Sequence, residues 1–185
     1  MAQSKFIQSV VKSAGGRPKS TQWYREKIKE FGQPGAMDLI RDGKQARTPH
    51  YGRLNMFFYD PKGRNTLPYY DTFPLVLPIE RYPDGFLGIN FHYLPIGLRL
   101  KLLDRLVDFS NNTKFDESTV IDASYSQLKN IREIKPTLKR YLAGRVKTRF
   151  RRVDADEFTV AALLPIARWK NGTQQNVYKD SRKMI

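Results

Sequence analysis

The sequence predicts an α+β fold: a small, twisted antiparallel sheet or open barrel packed against two or three helices, with extended N- and C-terminal segments. Three observations carry this. Residues 54–94 hold short aromatic and aliphatic runs punctuated by Pro/Gly turns. Apolar residues outside that block recur at helical spacing. A chain of 185 residues with 40% hydrophobic content has enough apolar material for one core with arms. The chain divides accordingly into a basic, partly helical N-terminal arm over 1–47, an α+β core over 48–169 and a tail over 170–185.

Residues 1–20 carry two short apolar pairs among Ser, Lys and Gly, and Gly15-Gly16-Arg17-Pro18 breaks any helix there. They read as an arm that is flexible or ordered by a partner. Ser20 or Thr21 caps the next helix, whose Tyr24, Ile28 and Phe31 share a face and which Gly32 stops. Met37, Leu39 and Ile40 mark a further short helix, and 41–53 reads as a basic loop. Leu54–Tyr59 is a strand, followed by the type I turn sequence Asp60-Pro61-Lys62-Gly63. Phe73–Ile79 is a second strand. Its Pro74 and Pro78 cannot donate to a ladder, so it lies at an edge or is interrupted. Tyr82-Pro83-Asp84-Gly85 joins it to a third strand, Phe86–Leu94, in a hairpin.

Pro95 opens a helix with a wide apolar face: Ile96, Leu100, Leu103 and Val107, with Leu102, Leu106 and Phe109. Ser110-Asn111-Asn112 ends it, and 116–134 mixes helical and irregular patterns. Lys135-Pro136 begins another helix, over 136–150, in which Leu138, Leu142, Val146 and Phe150 recur every fourth residue. Asp154 caps a last short helix, with Glu157 at the capping-box position, Phe158, Ala161 and Ala162 inward, and Pro165 as its stop. From Lys170 the tail is polar and irregular.

Charge is unevenly placed. The formal net charge is +15. Residues 1–47 contribute +6, 48–128 contribute −1, 129–152 contribute +9 and 153–185 contribute +1. The middle of the chain is thus neutral, and the excess sits in the arm and in one 24-residue segment. Concentrated positive charge attracts polyanions: nucleic acid, an anionic membrane or an acidic protein surface. The candidate phosphate-binding residues are Lys139, Arg140, Arg145, Lys147, Arg149, Arg151 and Arg152 on the basic helix, with Arg17 and Lys19 in the arm. If about six cations reach phosphates, the logarithmic salt slope of DNA binding is near −5. The competing reading is a face that is solvated or set against an acidic protein. Tyr69, Tyr70, Phe91 and Tyr93 could stack on unpaired bases, but core packing accounts for most of them.

Other chemistry finds less support. There is no cysteine, which excludes disulfides, thiolate metal sites and cysteine nucleophiles. There is no Gly-x-Ser-x-Gly elbow and no phosphate-cradling Gly-rich loop. Of two histidines, His50 lies in a loop and His92 in a strand, where a hydrogen-bonded structural role is favoured over catalysis. Asp154, Asp156 and Glu157 could hold a divalent cation, yet helix capping explains the same three carboxylates. Pro83-Asp84 and Glu133-Ile134-Lys135 match the letters of a metal-dependent nuclease motif in the wrong context, a turn and a pre-proline segment. No metal, cofactor or enzymatic activity is therefore expected. No apolar run approaches the ~20 residues of a membrane span, and MAQSKFIQSVVKSAGG lacks a signal-peptide h-region. Synthesis in the cytoplasm, with no membrane partner, is expected.

The central block adds a resemblance. Asn55-Met56-Phe57-Phe58-Tyr59-Asp60-Pro61-Lys62, Leu67-Pro68-Tyr69-Tyr70-Asp71-Thr72-Phe73-Pro74-Leu75-Val76 and Asp84-Gly85-Phe86-Leu87-Gly88-Ile89-Asn90-Phe91-His92-Tyr93-Leu94-Pro95 carry it. Lys135-Pro136, Lys139-Arg140-Tyr141-Leu142 and the ending Asp180-Ser181-Arg182-Lys183-Met184-Ile185 extend it. Together they resemble a family of virion-associated proteins of T-even-like contractile-tailed phages, often labelled DNA end protectors, over most of the chain after about residue 20. The resemblance implies a non-enzymatic phage protein that holds the genome terminus near the portal, neck or tail and shields it from host exonucleases. Its partners would be double-stranded DNA and other virion proteins of the neck, tail or baseplate, within a larger symmetric assembly. It would be made in the host cytoplasm and end in the virion. The alternative is a neck, tail or baseplate subunit whose basic surfaces bind acidic protein neighbours rather than DNA.

Overall fold

A computed structural model describes residues 6–108, 121 and 124–185. Helix α1 (Phe6–Ser13) buries Ile7 and Val10 and ends at Gly15 and Gly16, both at positive φ. Helix α2 (Thr21–Phe31) is capped by Ser20, whose hydroxyl accepts from the Trp23 amide at 3.1 Å. Gly32, at φ 82°, closes it. Helix α3 (Ala36–Asp42) buries Leu39 and Ile40. The strands follow: β1 (Lys44–Ala46), β2 (Leu54–Met56), β3 (Tyr70–Asp71), β4 (Leu75–Tyr82) and β5 (Gly85–Asn90). A 3-10 turn over Phe91–Tyr93 leads into helix α4 (Ile96–Asp108). The predicted Phe109 contact and the Ser110-Asn111-Asn112 stop lie outside the described residues. After α5 (Tyr125–Leu128) and a 3-10 turn (Arg132–Thr137) come β6 (Leu138–Leu142), a 3-10 turn (Ala143–Arg145) and β7 (Phe150–Val153). Helix α6 (Phe158–Leu163), β8 (Trp169–Lys170) and α7 (Gln174–Met184) complete the chain.

Six strands form one open antiparallel sheet in the order β1-β7-β2-β4-β5-β6. Strands β4 and β5 form the hairpin that the turn sequence predicts. Strand β4 is an interior strand, not an edge, and its prolines are accommodated by interruption. Pro74 precedes it, and the register shifts between Pro78 and Glu80. Strand β3 pairs separately with β8. Two glycines are fixed by close approach. A Cβ on Gly85 would lie 1.9 Å from the Tyr141 carbonyl oxygen, and one on Gly88 would lie 2.3 Å from Val76 Cγ1.

The sheet buries both faces, because alternate residues point to opposite sides. On one face Leu54, Met56, Leu75, Leu77, Ile89 and Val153 pack against α1, α4 and α6 to form the main core. On the other, Phe57, Tyr59, Val76, Phe86, Tyr141 and Phe150 make a second, largely aromatic cluster. Phe86 and Tyr141 stack at 5.2 Å, and Phe57 meets Phe150 at 4.8 Å.

Three expectations are corrected. The basic helix over 136–150 does not exist; the segment is a 3-10 turn, strand β6, a second 3-10 turn and a loop into β7. A repeat of four fits a strand as well as a helix, since four is a multiple of two, and the free edge of β5 takes β6 as its partner. Residues 6–13 are not a loose arm, because Ile7 and Val10 are buried in the main core. The tail is helical over α7, with Thr173 as its cap and Val177 and Ser181 buried one turn apart. Arg99 ties this tail down. Its buried guanidinium donates to the carbonyls of Leu94 (2.7 Å) and Ala162 (3.2 Å) and to the Tyr178 hydroxyl (2.7 Å).

Candidate nucleic-acid interface

The segment linking β5 to α6 remains the most basic part of the chain, but its cations do not act alike. Strand β6 lies along β5, with Gly88 opposite Lys139 and Leu87 opposite Arg140. The loop after it folds across the aromatic face of the sheet. It is held by an isolated Tyr59–Val146 bridge, by the Lys147 amide donating to the Phe58 carbonyl (2.8 Å) and by the Thr148 hydroxyl accepting from the Phe58 amide (3.0 Å). This ribbon therefore runs over the surface with its backbone fixed and its cations outward. Lys147 and Arg149 are exposed and Arg145 is half-buried. None of the three makes an ion pair among the described residues. Arg140 is exposed as well, but its guanidinium pairs with Asp84 and lies 4.0 Å over the Tyr82 ring.

Two of the predicted residues are withdrawn from this surface. Arg151 is 1% exposed. It pairs with Glu157 (3.2 Å) and donates to the Leu39 carbonyl (3.1 Å). Arg152 is half-buried and donates to Asp154 (3.1 Å). In strand β7 alternate side chains point to opposite faces, so both cannot face one solvent side, and neighbouring carboxylates take them. Arg17 and Lys19 are exposed in the link between α1 and α2. The Lys19 ammonium lies 5.5 Å over the Trp23 ring.

Two clefts flank the ribbon. One, of about 340 Å³, is lined by Arg47, Tyr51, Arg81, Tyr82, Phe86 and Val146 among others. There the Arg81 guanidinium sits 4.1 Å over Tyr51. Arg47 and Arg81 are cations that spacing alone did not single out; Arg47 follows β1 and Arg81 lies near the end of β4, and both reach the wall of this cleft although β7 and β2 separate those strands in the sheet. The other cleft, of about 360 Å³, is lined by five tyrosines, Tyr59, Tyr69, Tyr70, Tyr93 and Tyr141, together with Lys139, Asn90 and Asp71.

The tyrosine cleft has an unusual electrostatic setting. The Lys139 ammonium lies 4.0 Å over the Tyr93 ring. Burial alone lowers its pKa from 10.5 to about 8. Burial likewise raises Tyr59, Tyr69, Tyr93 and Tyr141, so these hydroxyls stay protonated. Asp71 is fully engaged beneath them. One oxygen accepts from the amides of Phe73 and Arg168, both at 3.0 Å, and the other from His92 Nδ1 (2.7 Å) and Asn90 (3.3 Å).

The other chemical candidates resolve into structural parts. His92 lies in the 3-10 turn after β5, fully buried against Asp71. Burial lowers its pKa, although Asp71 opposes that. Asp154 and Glu157 form the predicted capping box. The same two carboxylates hold Arg53, Arg152 and Arg151. Asp84 sits in the hairpin turn beyond the Leu142 end of β6, whereas Glu133 precedes its Leu138 end and pairs with Arg105 at 2.9 Å. The two halves of the nuclease-like pattern are therefore at opposite ends of a strand. Among the described residues no group of three or more His, Asp or Glu side chains is arranged to hold a metal ion, and no helix is long and apolar enough to cross a membrane.

The family model described as Phage T4 terminal DNA protecting protein matches residues 4–183. No curated protein and no solved structure matches the chain.

Proposed function

Because the chain belongs to the phage T4 terminal DNA protecting family, we propose that it is a non-enzymatic protein that binds double-stranded DNA at a genome terminus and shields that end from exonucleases. The observation that supports a direct grip on DNA is the ribbon. Arg145, Lys147 and Arg149 stand on a backbone pinned to the sheet, without carboxylate partners among the described residues. Arg47 and Arg81 extend the same basic surface. Side chains of this kind neutralise phosphates, release condensed counterions and carry no sequence preference, which suits a protein that must hold whatever sequence ends the genome. With about five phosphate contacts the logarithmic salt slope is about −4 to −5. Arg151 and Arg152 take no part in this reading, because their charges are matched by Glu157 and Asp154.

The proposed place of action is the virion, near the portal, neck or tail, after synthesis in the host cytoplasm. Neighbouring virion proteins are its further partners, and the exposed Arg17 and Lys19 are available to meet them. The test is exonuclease digestion of labelled linear duplex near physiological salt, with excess closed circular DNA as competitor. Protection that survives the competitor supports end binding. Protection abolished by the circle reduces the function to backbone binding. No binding to either DNA overturns the reading in favour of a structural subunit whose basic ribbon meets an acidic protein.

A further inference from the structure

The ribbon accounts for a grip on duplex phosphates, but it leaves the tyrosine cleft beside it without a role. That cleft is far too narrow for a duplex, and its volume of about 360 Å³ lies at the small end of ligand sites. Its walls are aromatic. Tyr69 and Tyr93 meet at 6.1 Å, and Trp169 buttresses Tyr93 edge-on at 4.9 Å from behind. Tyr59 and Tyr141, a pair at 4.9 Å, are its buried floor and belong to the second core cluster. The half-buried Tyr69 and Tyr70 are the rings open to the cleft, and open π faces are what unpaired bases stack on, whatever their sequence.

The second observation is the cation. A buried charge is costly unless it is paired. Arg99 and Arg151, both buried, have oxygen partners: Arg99 four, Arg151 a carboxylate and a carbonyl. The half-buried Lys139 has for its ammonium only the face of Tyr93, with no ion pair among the described residues. The nearby carboxylate of Asp71 does not relieve it, since four donors already occupy that group. An ammonium in this state, at the wall of an open cleft, can take an anion that enters it.

We propose that the tyrosine cleft receives the terminal nucleotide of a DNA end, its base against the half-buried Tyr69 and Tyr70 rings and its terminal phosphate on the Lys139 ammonium. The inference rests on the DNA-end reading above and deepens it, because it supplies what the ribbon lacks: a feature that only an end can satisfy. An internal nucleotide has its base stacked in the duplex and its phosphate esterified on both sides. A frayed terminal nucleotide has a free base and a phosphate monoester of higher charge. Lys62, exposed on the loop that supplies Leu67 and Pro68 to the cleft wall, would meet the phosphates that follow, whereas Arg64 beside it is paired with Asp60 at 3.2 Å.

The test compares two DNAs of equal length with the full chain by fluorescence anisotropy. One is a duplex with a 5′-phosphorylated end frayed over about three nucleotides; the other is a dumbbell closed by a hairpin at both ends. The expected result is a preference of at least tenfold for the open end, collapsing to under threefold in Lys139→Met. A ribbon variant, Lys147→Ser, should weaken binding to both DNAs and keep the preference. Because a variant could misfold, the native protein carries a second arm. Thymidine 5′-monophosphate should displace the open-ended DNA at a concentration at least tenfold lower than thymidine or inorganic phosphate. A preference that survives Lys139→Met, or equal competition by all three compounds, overturns the inference. Equal native affinity for the two DNAs overturns the inference and leaves DNA binding standing. Failure to bind either DNA overturns the DNA-end reading and the inference together.

Discussion

Replacing Lys139 with Met should make the folded protein more stable, and by an amount that depends on pH. The side chain stands on the edge strand β6 with its ammonium over Tyr93. Burial holds its pKa at about 8 instead of 10.5. Below pH 8 the lysine is protonated in both folded and unfolded chains, so the folded state carries the whole penalty. Between pH 8 and 10.5 the folded lysine loses its proton first, the unfolded chain binds more protons, and stability rises with pH. At about 1.4 kcal/mol for each tenfold change in proton affinity, the penalty at pH 7 is roughly 3 kcal/mol at most. Residual water contact and the lost cation–π contact, itself about 0.5–2 kcal/mol, reduce the net gain to about 1–2 kcal/mol. Methionine keeps an unbranched stem of similar length, so packing is largely retained.

For a chain of this size each kcal/mol moves Tm by about 2–4 °C, so a rise of roughly 2–8 °C is expected at pH 7. By pH 10 the gain should shrink below about 1 kcal/mol. The groups around Lys139 do not blur this difference. Tyr59, Tyr69, Tyr93 and Tyr141 are all raised, chiefly by burial, and unfolded tyrosines ionise alike in both proteins. Calorimetry or denaturant melts of the two proteins at pH 7 and pH 10 give the answer. A variant less stable at pH 7, or a gain identical at both pH values, would refute the reasoning. A stabilised variant that also loses its preference for open DNA ends would mark Lys139 as a residue kept for binding at the expense of stability.

Arg151→Ser should cost about 3–5 kcal/mol, because it leaves Glu157 buried without its charge partner; an unchanged melting curve would place Arg151 at the surface. Lys147→Ser combined with Arg149→Ser should leave the melting curve within about 0.5 kcal/mol of the parent and reduce the DNA salt slope by about 2. An unchanged slope would remove the ribbon from the interface. Arg99→Met should destabilise by about 2–4 kcal/mol, since it strands two buried carbonyls and the Tyr178 hydroxyl. Protease cleavage of the detached α7 would report the same event, and resistance equal to the parent would argue against Arg99 as its anchor.

The local chemistry of the chain was readable wherever one residue type does one job. Ser20, Gly32, the Tyr82–Gly85 turn and the Asp154/Glu157 capping box act on backbone within a few residues of themselves, and each is found in its predicted role. The interruption of β4 at Pro78 follows equally from proline's missing donor. Longer-range outcomes were not readable. Leu138, Leu142, Val146 and Phe150 lie at a spacing that helix and strand share, and the free edge of β5 decided between them. Ile7 and Val10 carry too few apolar neighbours in sequence to announce a core helix; the main core supplies those neighbours from β2, β4 and α6.

The sequence by itself determined the class of fold, the central hairpin and the fact that one short segment is strongly basic, because composition, turn chemistry and charge are properties of neighbouring residues. Only the tertiary structure decided which cations are available. Arg149 and Arg151 are two residues apart, yet one is exposed and the other is sealed against Glu157 and Leu39. The tyrosine cleft was equally beyond reach of the sequence, since Tyr59, Tyr69, Tyr93 and Lys139 lie up to eighty residues apart. The cost of burying a charge depends on what surrounds it, and what surrounds it is set by strands that meet only when the sheet closes its register.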